Sequence, residues 1–170
     1  MIRKLALAAL AAGLIATPAL AAEKLKIETS KGCSFDITLR PDLAPKHVAQ
    51  ITQLAKEGFY NGIIFHRVID GFMAQTGDPT GTGMGGSKLP DIQAEFTQEP
   101  FKRGTVGMAR SQDPNSGNSQ FFVMFAPGDF LNGQYTVWGQ VDDKGMECVD
   151  KIARGEPPAN PDKMVKVTVE

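Results

Sequence analysis

The chain is poor in the residues that metal and thiol chemistry require, with two cysteines and two histidines among 170 residues. Cys33 and Cys148 lie far apart, which excludes a CxxC redox motif, and His47 and His66 are too few to assemble a zinc site. No cofactor is expected. Positive charge is also in short supply. The formal net charge is −1, and two of the 18 basic residues, Arg3 and Lys4, fall in the first few positions, so the remainder is mildly acidic. That excludes a basic footprint for nucleic acid or anionic lipid. Beyond residue 22 there is no apolar run long enough to span a bilayer. Low-complexity tracts, internal repeats and linkers are missing as well, so one compact domain is expected.

What is present begins with a leader. "MIRKLALAALAAGLIATPALAAE" has a short basic start, an apolar run from Leu5 to Ala16, a break at Pro18 and then Ala19-Leu20-Ala21. This is the layout of a secretory signal occupying 1–21 and cut after Ala21, leaving a domain over 22–170. Such a leader points to export, with the periplasm as the expected location. In an oxidising compartment Cys33 and Cys148 have two fates open to them: a disulfide closing a very long loop, or two separate small apolar residues in the core.

The mature chain reads as short strands and two helices. "KLKIETSKGCSFDITL" alternates around Lys31-Gly32, predicting a hairpin of strands over about 24 to 30 and 33 to 39. Val48, Ile51, Leu54 and Ala55 recur at helical spacing after Pro45 and before Gly58, predicting a helix over about 45 to 57, with His47 solvated in its first turn. Strands are expected over 63 to 68, over 72 to 75, and within "GTVGMAR", "SQFFVMF", "QYTVWGQV" and "DKMVKVTVE". "DDKGMECVDKIARGE" reads as a brief second helix. Eight strands with connections too short for repeated crossovers favour a mainly β fold, a mostly antiparallel barrel.

Two motif matches fail on context. Gly81, Gly83 and Gly86 fit G-x-G-x-x-G, but Asp78-Pro79 precedes them and Leu89-Pro90 follows, so no helix begins where a pyrophosphate would need one. A loop forming the wall of a site is the better reading. "GNSQF" begins like a nucleophile elbow, yet Phe121 stands where the last glycine belongs, and neither histidine is placed for a triad. Ser119 therefore reads as a strand or turn hydroxyl.

"IIFHRVIDGFMAQTGD" sets His66, Arg67 and Gln75 among the most apolar residues of the chain. Period-two alternation puts Phe65 and Arg67 on one face and His66 on the other. "FHRVIDGFMAQTGD", "MARSQDPNSGNSQFFVMF" and "FLNGQYTVWGQV" together resemble, in order and spacing, the active-face segments of the cyclophilin family of peptidyl-prolyl isomerases. The resemblance runs from about Leu25 to the C-terminus. It implies a closed eight-stranded antiparallel β-barrel capped by two α-helices, with a groove on its outer surface. It also implies that Arg67 is the catalytic arginine. Phe72, Met73, Phe122 and Leu131 then form the proline pocket, Gln75 and Gln120 help hold the peptide, and Ala109 and the backbone of Arg110 line the neighbouring groove. Phe130 stands where a tryptophan is usual, Tyr135 where a histidine is usual and Arg110 where an asparagine is common. The first substitution leads us to expect weak cyclosporin binding.

The expected partners are proline-containing segments of folding proteins, handled by a monomer. An X-Pro bond turns slowly because its C–N bond is partly double, with a barrier of about 18–20 kcal/mol. At the twisted transition state the proline nitrogen regains a lone pair that accepts a hydrogen bond, a task suited to an always-charged guanidinium. No proton changes hands, so His66 is expected to be structural, hydrogen-bonded beneath the groove.

Overall fold

The computed structural model describes residues 22–170. The leader expected over 1–21 lies outside the described residues. The first hairpin forms where alternation demands it: β1 (Lys24–Thr29) and β2 (Ser34–Leu39) pair antiparallel, with Ile27 opposite Phe35 and Leu25 opposite Ile37. Leu25, Ile27, Phe35, Ile37 and Leu39 all face the core. The turn between the strands places Gly32 at φ +76°, a left-handed conformation that a side chain would disfavour.

Helix α1 (Pro45–Lys56) begins on Pro45, whose fixed φ suits a first turn. Ala44 offers it no side-chain cap. Glu95, from a distant loop, supplies the cap instead by accepting the backbone N–H groups of Lys46 and His47, each at 3.0 Å. The His47 Nδ1 bonds the same carboxylate at 2.7 Å. His47 is thus buried and paired, which corrects the expectation of a solvated side chain. A histidine on the helix face turned towards a neighbouring loop is covered by that loop, and only the tertiary structure supplies it.

The remaining strands are β3 (Arg67–Ile69), β4 (Met73–Thr76), β5 (Thr105–Met108), β6 (Phe121–Met124), β7 (Val137–Gln140) and β8 (Met164–Val169); α2 (Asp143–Val149) follows β7. They form one eight-stranded sheet in the order β3-β4-β6-β5-β7-β2-β1-β8, antiparallel at each pairing. The expected closed ladder is corrected, since the end strands β3 and β8 do not pair with each other. The sheet curls around the core, and the seam is crossed by less regular chain: a single bridge joins Ile64 to Lys163, and Phe65 N–H donates to the Asp162 carbonyl at 2.8 Å.

The strand expected over 63 to 68 is likewise shorter, beginning only at Arg67. Ile63 and Phe65 are apolar because they are buried in the core, not because they belong to a strand. Period-two alternation does not extend from Arg67 back through Phe65 for the same reason. Phe65 packs into the central core, while Arg67 lies on the opposite side of the sheet.

Inward-facing Val68, Ala74, Val106 and Val123 join the central core with Trp138, Phe121 and Tyr60. The Tyr60 hydroxyl reaches the Ser119 carbonyl at 2.9 Å, so the burial leaves no orphan there. Met73, Phe101, Phe122, Met124, Leu131 and Val137 make a second apolar cluster on the outer face. Helix α1 packs on β7 and β8 and α2 on β2. Cys33 and Cys148 form a disulfide, with a Cα–Cα distance of 5.8 Å, stapling the start of β2 to α2. Of the two fates open to the cysteines, the structure takes the bond.

Candidate active site

Strand register builds the site. Arg67 lies opposite Gln75, Gln75 opposite Phe122, and Phe122 opposite Gly107, a single row across β3, β4, β6 and β5. Because a pleated sheet alternates its side chains, residues in one such row share a face. That face is the outer one. A Cβ at Gly107 would stand 2.5 Å from the Phe122 ring and 2.7 Å from that of Phe101, so the missing side chain is what lets those rings stack at 5.8 Å. Met73, two residues before Gln75 and so on the same face of β4, joins Phe122. Leu131 reaches the same cluster from a short 3-10 helix, Asp129–Leu131.

These elements enclose a groove of about 610 Å³. Arg67, Phe72, Met73, Gln75, Ala109, Arg110, Phe122, Leu131 and Tyr135 line it together. Gln120 stands one layer out. Its amide donates to the carbonyls of Gly83 and Gly85 at 3.0 and 2.8 Å, and its oxygen accepts from Gln75 at 3.0 Å. Phe130 also falls outside the lining and is 70% exposed at the rim, its ring 5.5 Å from that of Phe72. The Arg110 guanidinium lies 4.4 Å above the Tyr135 ring and bonds the Gln134 carbonyl at 2.7 Å, so both side chains form one stiffened wall.

Arg67 is half-exposed at the groove edge. Its Nε donates to Glu156 Oε1 at 2.7 Å, and one terminal nitrogen approaches Gln75 Oε1 at 3.5 Å. The other terminal nitrogen has no partner among the described residues. The arrangement is therefore a charged donor sharing one groove with apolar side chains, able to bond an acceptor that enters it.

The opposite wall is the glycine-rich loop, where Gly81, Thr82 and Gly83 line the groove. Buried Asp78 holds it. Oδ1 accepts the Thr80 N–H and hydroxyl, both at 2.8 Å, and Oδ2 accepts the N–H groups of Thr82, Gly83 and Gly85 at 3.1, 2.6 and 3.1 Å. Burial opposes ionisation, but these hydrogen bonds outweigh it and hold the carboxyl at a pKa of about 2. The loop is thus a wall organised around a carboxylate, with no helix following it where a phosphate site would need one. Ser119, as expected, is structural, its hydroxyl bonding the Gly77 carbonyl at 2.7 Å.

His66 departs from expectation. It lines the groove beside Arg67, and neither ring nitrogen has a hydrogen-bond partner among the described residues. Burial lowers its proton affinity, with Asp78 opposing and Arg67 reinforcing that shift. Alternation does not place its side chain, because the chain at 63 to 66 is not a strand.

Glu156 and Pro157 also line the groove and were not singled out in the sequence. Val68 exchanges backbone hydrogen bonds with Gly155, both at 2.8 Å, which sets Glu156 opposite Arg67. An acid within "RGEPPANPD" carries no local signal of that pairing.

Comparison with known proteins agrees with this geometry. Residues 24–169 match the sequence model of the cyclophilin type peptidyl-prolyl cis-trans isomerase family. A relative from Brucella suis, named "Probable peptidyl-prolyl cis-trans isomerase", is 59% identical over 150 residues, covering 79% of this chain and 76% of its own. The crystal structure of a cyclophilin from Hirschia baltica superposes with a TM-score of 0.77 at 32% identity, over 85% of this chain and 73% of that one. A cyclophilin type isomerase from Cryptosporidium parvum, crystallised in the presence of the dipeptide Ala-Pro, gives 0.79 at 28% identity, over 86% and 98%. With its antiparallel sheet, its outer groove and a family match across the described domain, the chain belongs to the cyclophilin-type peptidyl-prolyl cis-trans isomerases.

Proposed function

We propose that this enzyme accelerates X-Pro rotation in folding proteins through Arg67 and the apolar hollow beside it. The observation that carries this reading is the guanidinium, half-exposed in one groove with Phe72, Met73, Phe122 and Leu131 and with a terminal nitrogen unpartnered among the described residues. The proline ring settles on the Phe122 floor, worth about 1.5–3 kcal/mol of apolar burial. Gln75, braced from behind by Gln120, holds the peptide on one side, and Ala109 and the backbone of Arg110 hold it on the other. As the bond twists, the proline nitrogen pyramidalises and accepts from Arg67. A preorganised charged donor of this kind lowers a barrier by about 3–4 kcal/mol. Rotation moves no proton, so unpartnered His66 needs no acid-base role.

The crystal of a related isomerase grown with Ala-Pro supports a prolyl peptide as the occupant. We further propose that the mature chain works as a monomer in the periplasm, in keeping with the leader sequence. Phe130 at the rim, in place of a tryptophan, supports weak cyclosporin binding.

The test is isomerisation of a proline tetrapeptide by the mature chain and by Arg67→Ala. The expected loss in kcat/KM is roughly 100-fold or more. Full turnover by Arg67→Ala refutes the assignment. Client rescue that survives in cells despite lost turnover instead supports a module that holds proline segments.

A further inference from the structure

We infer that Glu156 is a positioning residue for catalysis, fixing the Arg67 guanidinium in the orientation that stabilises the twisted bond; this rests on the role proposed above for Arg67. The geometry is built from both sides. The Val68–Gly155 backbone pair sets Glu156 directly opposite Arg67, where the two side chains share a face. Gly155 sits at φ +145°, and a Cβ there would stand 2.5 Å from Pro158 Cα, so the turn that presents Glu156 demands glycine. The flanking chain is tied down as well: Arg154 bonds Asp70 at 3.0 Å, and Ala153 N–H donates to Asp162 Oδ2 at 2.9 Å.

Such anchoring is out of proportion to the stability that the ion pair yields. Arg67 and Glu156 side chains are 43% and 54% exposed, and pairs so open to water contribute little to folding. The geometry has a different consequence. Glu156 engages Nε alone, so the carboxylate fixes the rotation of the planar fork without consuming its terminal nitrogens. Gln75 approaches one terminal nitrogen at 3.5 Å, and through Gln120 this network reaches the glycine-rich wall. Without Glu156 the long side chain regains rotamers that point away from the groove, and the donor must be ordered in each turnover. The loss falls on kcat, since the apolar floor that binds the ring is untouched.

The experiment is a double-mutant cycle on the mature chain, with kcat and KM measured on a proline tetrapeptide for wild type, Glu156→Gln, Arg67→Ala and the combination. Glu156→Gln is expected to lower kcat about 5- to 20-fold with KM within about twofold, a modest share of what precise orientation supplies. Its urea midpoint is expected to match wild type. In the Arg67→Ala background the second substitution is expected to cost nothing further, because its effect passes through the arginine. Losses that multiply in the double variant overturn the inference, as does an unchanged kcat in Glu156→Gln while Arg67→Ala collapses. Full turnover by Arg67→Ala brings down both readings together.

Discussion

Replacing Asp78 by asparagine removes the carboxylate around which the glycine-rich wall is wound. The two oxygens accept four backbone N–H groups, from Thr80, Thr82, Gly83 and Gly85, besides the Thr80 hydroxyl. An asparagine has one acceptor oxygen, and its amide would confront donors with donors. At least one N–H on the buried side is left unpaired whichever way the amide turns, and each such group costs about 1–3 kcal/mol. The depressed pKa gives a second route to the same quantity. With a folded pKa of about 2 against 3.8 for an ordinary aspartate, ionised Asp78 contributes roughly 2 kcal/mol at neutral pH. Its folded pKa is depressed, so the unfolded chain takes up the proton first as pH falls. The contribution is complete above about pH 4 and is lost between about pH 4 and pH 2. Urea denaturation of wild type and Asp78→Asn at pH 7 is therefore expected to differ by about 2–4 kcal/mol, with the gap narrowing as the pH approaches 2. Activity should fall too, because Gly81, Thr82 and Gly83 lose their hold on the groove. Equal midpoints at pH 7, or a gap that does not change with acid, would refute the account of the loop.

Reduction of the Cys33–Cys148 bond is expected to lower stability by about 4–5 kcal/mol in the chain-entropy view, since it opens a loop of 115 residues. Neither cysteine lines the groove, so the urea midpoint should drop under reductant while kcat/KM holds at conditions where the chain stays folded. Gly107→Ala is expected to press on the Phe122 and Phe101 rings, costing about 1–3 kcal/mol of overpacking strain and raising KM more than it lowers kcat. Unchanged KM there, with the fold intact, would argue against Phe122 as the floor of the proline pocket.

Much of the fold is legible in the chain. The alternation of Leu25, Ile27, Phe35 and Ile37 and the helical spacing of Val48, Ile51 and Leu54 correspond to β1, β2 and α1. So do most later strands, because each buries one face and local pattern records it. Local pattern misleads where burial comes without regular structure. Ile63 to His66 looked like a strand because it is apolar, yet its chain crosses the seam as an irregular segment. His47 looked solvated because nothing near it in sequence announces Glu95.

The candidate site divides in the same way. The segment around Arg67, Phe72 and Gln75 and the pair Gln120 and Phe122 form compact motifs, so their types and spacing are legible in the sequence. Glu156 was not, for it is brought to Arg67 by a backbone pairing across the seam.

Residue types and their periods determined which segments become strands and helices, which of them bury an apolar face, and which short motifs carry the family's signature. Tertiary structure alone decided where the curled sheet stays open, that Cys33 meets Cys148, and which acid stands beside Arg67. Those outcomes depend on strand register and on contacts between residues remote in sequence. Such contacts form only once a buried core has fixed the whole chain, and no local preference encodes them.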